Sequence, residues 1–160
     1  MPLALKILLV CVLIIFALWV FTLKVQLLPP KDNTMSTSTE NVAQLKLAGQ
    51  SFQVDVLRSD AQRANGLSGR EKLTDQQGAF FIFEQPGPYR FWMKEMNFSI
   101  DIIWLDQALK VVDITKDAKP ESFPQTFAPS SPAQYVLEIN AGLSDKYGFK
   151  IADQAELLTQ

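Results

Sequence analysis

The alternation of apolar and polar positions changes rhythm twice along this chain. It begins with an unbroken apolar run from Ile7 to Phe21, extended by Thr22 and Leu23 and bounded by Lys6 and Lys24. That length suits the hydrocarbon core of a bilayer, and lysines at both ends can carry their charge to the interface. The pattern predicts one short membrane-spanning helix over 7–28, preceded by a tail at 1–6. A cleaved signal peptide is the competing reading. The run, however, exceeds the roughly 7–15 apolar residues of such a segment, and Gln26-Leu27-Leu28-Pro29-Pro30 is a poor cleavage site. An uncleaved anchor is therefore expected.

From Pro29 to Gln44 the side chains turn short and polar, with two prolines at the start, which predicts a linker over 29–44. Beyond it a period of two sets in, and residues 45–160 are expected to form the folded domain. Phe52, Val54 and Val56 alternate with Gln53 and Asp55, a half-buried strand. Ser59-Asp60 can cap a helical turn through Ala61–Ala64 that Gly66 would stop. Phe80-Phe81-Ile82-Phe83 is apolar on both faces, as in a strand covered on both sides.

After a turn at Gln85–Pro88, alternation separates Tyr89, Phe91 and Met93 from Arg90, Trp92 and Lys94. Phe98, Ile100, Ile102 and Trp104 predict the core face of a further strand, with Asp101 on the other side. A turn at Asp106-Gln107 leads into Leu109–Ile114, and Lys119–Pro132 is expected to be a loop. Gln134–Asn140 would bury Tyr135, Leu137 and Ile139 and turn Gln134, Glu138 and Asn140 outward. A short helix at Ser144–Tyr147 and a weaker strand near Ala155–Leu158 complete the pattern. Many short strands with turns between them predict an all-β domain, a β-rich sandwich or partly closed barrel with one or two short helices.

Composition narrows the chemistry. The chain has no histidine, which excludes a Ser-His-Asp triad, a Cys-His pair and the common zinc sites. Its single cysteine, Cys11, lies in the apolar run and permits no intrachain disulfide. From Leu45 onward twelve basic and fifteen acidic residues are interspersed, a balance that argues against nucleic acid as a partner. No cofactor is expected. The basic residues flanking the apolar run nearly balance, so the positive-inside rule decides little. A short tail before a long domain suits a signal anchor, which predicts a single-pass protein of the cell membrane with its C-terminal domain extracytoplasmic.

Four spaced blocks, Gly66-Leu67-Ser68, Gly78–Phe83, Phe91–Leu105 and Tyr135–Gly142, occur in the order found in domain-of-unknown-function family 192, which the chain resembles from about Leu45 onward. Ser68, Ala79-Phe80, Lys94-Glu95-Met96 and Ala152-Asp153 stand where that family tends to carry other residues. The resemblance implies a small β-rich prokaryotic domain and brings no assigned chemistry.

The residues singled out for function lie opposite the expected core face: Trp92, Lys94, Asp101, Glu138 and Asn140, with Arg63 able to reach toward them. If Asn97-Phe98 centred a tight turn, Lys94 and Asp101 would meet as a cross-strand ion pair, and the plainest account of both is that they only fix register. The functional expectation is a shallow site for a small polar ligand, with Trp92 as its wall and the charged groups orienting the ligand. One alternative is a protein-interaction module of the cell envelope anchored by exposed aromatics. Another is a hydrolase that uses Asp101 and Glu138 as an acid–base pair. An oxygen-ligand metal site of Asp101, Glu138 and Asn140 has no recognised spacing.

Overall fold

The computed structural model describes residues 41–158. The expected tail, membrane-spanning helix and nearly all of the expected linker lie outside the described residues. Among the described residues no helix is long and apolar enough to cross a membrane.

The chain forms β1 (Val42–Leu47), β2 (Gln50–Leu57), α1 (Asp60–Asn65), β3 (Gln77–Gly87), β4 (Phe91–Trp92), β5 (Ile100–Leu105), β6 (Val111–Ala118), β7 (Thr126–Phe127), β8 (Ala133–Asn140), α2 (Leu143–Tyr147) and β9 (Ala155–Leu158). Seven strands make one sheet in the order β6-β5-β8-β3-β2-β1-β9, and β4 and β7 pair separately. Neighbours run antiparallel except β2 and β3, which are parallel. The crossover that a parallel pair requires is the segment 58–76, which carries α1.

The sheet curls into a half-barrel whose outer strands meet at one end. Lys110 and Gln154 bridge there, Val111 N donates to Asp153 O (2.9 Å), and Ala155 N donates to Leu109 O (2.8 Å). Of the two architectures expected from the pattern, the partly closed barrel is the one formed.

Alternation then creates two cores rather than one. Leu45, Leu47, Phe52, Val54, Val56, Phe80, Ile103, Leu137 and Ile139 fill the concave side. Phe81, Ile100, Ile102, Trp104 and Val136 point from the convex side into a second cluster, closed by Leu67, Leu73 and Met93 from the covering connections. The expectation of a strand covered on both sides at Phe80–Phe83 holds, with Phe80 in one cluster and Phe81 in the other. The same is true of β5, all six residues of which are buried, so the face opposite Ile100, Ile102 and Trp104 is core and not surface.

Three expectations need correction. The hairpin joining Tyr89–Lys94 to Phe98–Leu105 does not form: β4 is only Phe91–Trp92 and pairs with β7, because the chain turns at Met93–Met96 (Met96 N to Met93 O, 3.3 Å) with Glu95 at a φ of 57°. The expected loop 119–132 therefore contains a strand. Finally, β1 begins at Val42, inside the stretch expected as linker, and contributes Ala43, Leu45 and Leu47 to the concave core.

The local signals around α1 behave as the sequence predicts. Ser59 Oγ accepts from Gln62 N (3.2 Å) while Gln62 Oε1 accepts from Ser59 N (2.9 Å), a reciprocal cap that fixes where the helix starts. Gly66, at a φ of 50°, ends it. Gly78 matters for a different reason: a Cβ there would lie 2.6 Å from the Glu138 carbonyl oxygen, so β3 and β8 approach closely only because this side chain is missing.

Candidate functional site

Convex-side residues of β3 and β8, together with α1 and the β3–β4 connection, enclose a cavity of about 200 Å³. Leu67, Phe81, Phe83, Phe91, Trp92 and Met96 supply most of its apolar wall, and Arg63, Arg90 and Glu138 also border it. The rings brace one another. Phe91 stands edge-on to Phe81 (centroids 4.8 Å apart) and to Trp104 (5.2 Å), while Tyr89 stacks on Phe83 at 3.5 Å with planes 11° apart. Packed aromatic edges of this kind make a rigid wall.

Glu138 lies on β8 between Ala79 of β3 and Ile102 of β5, and is 5% exposed. Among the described residues its carboxyl has no hydrogen-bond or ion-pair partner, and burial alone pushes its pKa up to about 8. Removing an unpaired carboxylate from water disfavours its charged form, so the group is held largely as the neutral acid at pH 7. It borders the cavity.

Arg63 reaches the same cavity but its bonds are made to the protein and not to Glu138. Its guanidinium donates to the carbonyl oxygens of Arg58 and Ile82 (2.9 Å for the latter), pairs with Asp60, and lies 4.9 Å from the Phe83 ring centroid. These contacts tie α1 to β3 and make Arg63 part of the wall. Arg90 donates Nε to Thr126 Oγ1 (2.9 Å), joining β4 to β7. Trp92 is half exposed at the rim and meets Phe123 edge-on at 6.4 Å.

The six residues singled out from the sequence separate into two groups. Trp92, Arg63 and Glu138 border the cavity. Lys94, Asp101 and Asn140 do not. The Lys94–Asp101 ion pair that a tight turn at Asn97-Phe98 would have made is absent, since Lys94 Nζ pairs with Glu95 Oε1 at 3.6 Å and points to solvent. Asp101 is fully buried on the concave side, where Oδ1 accepts from Asp117 N (3.0 Å) and Oδ2 from Ser144 N (2.9 Å). It caps α2, whose preceding residue Gly142 has no side chain to do so, and it holds Asp117 at a φ of 50°. Asn140 Nδ2 donates to Leu73 O (3.0 Å), fastening the covering connection to β8. Because Asp101 and Glu138 face opposite sides of the sheet, they form neither a carboxylate pair nor, with Asn140, a shared metal site.

The apolar lining was missed because each ring reads as ordinary core. One signal was present: Phe81 and Phe83 fall on the same face of β3, and Phe91 follows the turn in the same phase. Three aromatics in one phase beside a carboxylate of β8 define a walled pocket and not a flat polar face.

A small half-barrel domain with a covered, aromatic-lined cavity on its convex side is thus the class of protein defined by fold and site. Residues 43–157 match the family described as "Uncharacterized ACR", DUF192, and the chain belongs to that family. Among solved structures, a protein of unknown function from Novosphingobium aromaticivorans is similar at 29% identity and a TM-score of 0.69, over 72% of this chain and 84% of that one. A candidate transcription regulator from Sinorhizobium meliloti is similar at 26% identity and a TM-score of 0.68, over 72% of this chain and 93% of that one. None of the curated proteins matches.

Proposed function

We propose that the domain is a non-catalytic module that binds a small ligand in the cavity bordered by Phe81, Trp92 and Glu138, and that the apolar segment near the N-terminus anchors it to the cell membrane with the domain outside. The single observation that carries the binding reading is the Glu138 carboxyl, buried against an apolar wall with no partner among the described residues. Such a group is costly in a merely structural role, and a cavity with one convergent polar group is the usual form of a small-molecule site. Among the described residues Glu138 is the one carboxylate bordering the cavity, which speaks for binding over acid–base hydrolysis. The near-balanced charge of the domain continues to speak against a nucleic-acid partner.

The full chain labelled with ¹³C at its methionine methyl groups, titrated with single-ring aromatic compounds, tests this reading. Saturable shifts at Met96 that disappear in Leu67→Trp, which fills the cavity, are expected. Shifts that leave Met96 untouched, or persist in Leu67→Trp, contradict it.

One observation favours a second reading, a protein-interaction module. Trp92 and Phe123 are 51% and 45% exposed and adjacent, an anchor of the kind that protein contacts use. Crosslinking in intact cells through a photoreactive residue at position 123 should then capture one defined partner, and an adduct pattern like that of a control position on β9 counts against it.

A further inference from the structure

We propose that the cavity recognises a small organic ammonium ion, with Glu138 as its counter-ion and the surrounding aromatic rings as its cage. This rests on the reading of the cavity as a ligand site and adds the chemistry of what enters.

Three observations converge. The buried carboxyl of Glu138 has hydrogen-bond capacity that no described residue uses, and a cation with N–H or N–CH₃ groups would supply both charge and contact. Aromatic rings supply much of the remaining wall: Phe81, Phe83, Tyr89, Phe91 and Trp92 all border the space, beside Leu67, Met96 and the two arginines. The negative faces of aromatic rings attract cations, most strongly where water is excluded, and such cages are a common means of holding quaternary ammonium groups. The protein itself already uses this attraction, for Arg63 lies over the Phe83 ring.

The other charged or titratable groups at the cavity do not complete Glu138. Arg63 from α1 pairs with the exposed Asp60 and donates to two backbone carbonyls, Arg90 donates Nε to Thr126, and Tyr89 donates its hydroxyl to Gln85 O at 2.7 Å, so none of them bonds to Glu138. The strands flanking Glu138 present Ala79 and Ile102, which carry no charge. The volume of about 200 Å³ suits a monocyclic or choline-sized ligand, given that a dry cavity of roughly 150 Å³ takes benzene.

Proton linkage makes the inference testable. Glu138 is held largely as the acid below about pH 8, so an ammonium ion that pairs with its carboxylate must displace the proton. Calorimetric titration of the full chain with benzyltrimethylammonium, benzyl alcohol and benzoate between pH 6 and 9, in buffers of different ionisation heat, reads this directly. The expected result has benzyltrimethylammonium binding most tightly, with affinity rising close to tenfold per pH unit up to about 8 and then levelling, and with about one proton released per ligand at pH 6.5. Glu138→Gln should weaken it tenfold or more and abolish proton release, while Trp92→Ala should weaken it more than it weakens benzyl alcohol.

If benzyl alcohol or benzoate binds as tightly, or affinity falls as pH rises, the ammonium assignment is overturned while the cavity remains a ligand site. If none of the three binds and Met96 does not respond to any of them, the site reading falls with it.

Discussion

Asp101 and Glu138 sit on adjacent strands one step out of register, Asp101 opposite Ile139 and Glu138 opposite Ile102, and for that reason they face opposite sides of one sheet. One carboxyl is saturated by backbone N–H groups in the concave core, and the other is left without a described partner beneath the convex cover. Two acids that look equivalent in the sequence therefore have opposite consequences for stability.

Asp101→Ala should destabilise the domain by about 2–3 kcal/mol, because it leaves the buried Ser144 N–H and the part-buried Asp117 N–H without acceptors. Chemical denaturation of the full chain measures the loss. Hydrogen exchange should show it concentrated at α2 and the end of β6, and a uniform change across the domain would contradict the capping role.

Glu138→Gln should stabilise. The acid has a folded pKa of about 8 against an ordinary 4.5, so the folded state holds a proton that the unfolded state has released between those values. The contribution of Glu138 to stability is then most favourable below about pH 4.5, falls by about 1.4 kcal/mol per pH unit from there toward pH 8, and levels off above it. At pH 7 this amounts to a cost on the order of 3 kcal/mol. The difference in unfolding free energy between wild type and Glu138→Gln, followed from pH 4 to 9, should show that slope, and a flat difference would remove its basis.

Gly78→Ala is expected to cost about 1–3 kcal/mol, since its Cβ would meet the Glu138 carbonyl at 2.6 Å and the Ile139 side chain at 3.2 Å. Because it pushes β8 away from β3, it should also displace the Glu138 side chain. Thermal melting reports the first effect, and loss of ligand-induced shifts at Met96 reports the second.

Arg63→Met keeps most of the stem that packs beside Phe83 but removes the bonds to the Arg58 and Ile82 carbonyls. A loss of about 1–2 kcal/mol is expected from those bonds, with little from the pair with Asp60, which is fully exposed. If Asp60→Asn costs as much as Arg63→Met in the same denaturation experiment, the ion pair and not the backbone tether is what matters.

Strand identity was legible in most of the apolar stretches but not at Tyr89–Lys94, whose alternation yields a strand of two residues. Phe52–Val56, Phe80–Phe83 and Gln134–Asn140 became strands, the last with Leu137 and Ile139 inward as expected but with Val136 and Glu138 buried as well, and the reciprocal cap at Ser59 and Gln62 set α1. What a period of two does not reveal is what covers the second face. Asp101 and Glu138 both read as outward, yet one side of the sheet closes on itself as a half-barrel and the other is roofed by the connections around Leu67, Leu73 and Met93. The failed hairpin has a local cause: Met93–Met96 forms a turn, which cuts β4 to two residues and sends Lys94 into solvent. Trp92, Arg63 and Glu138 were nonetheless marked by type, as an exposed aromatic, a cation near a helix end and an acid in an apolar strand.

The Glu138 carboxyl is best followed by its own ¹³C resonance, titrated in the full chain with and without saturating benzyltrimethylammonium. Titration near pH 8 is expected in the free protein, with a fall of more than about two units when the ammonium ion is bound, as release of a full proton at pH 6.5 requires. Titration near the ordinary 4.5 in the free protein, unmoved by the ligand, would contradict the account.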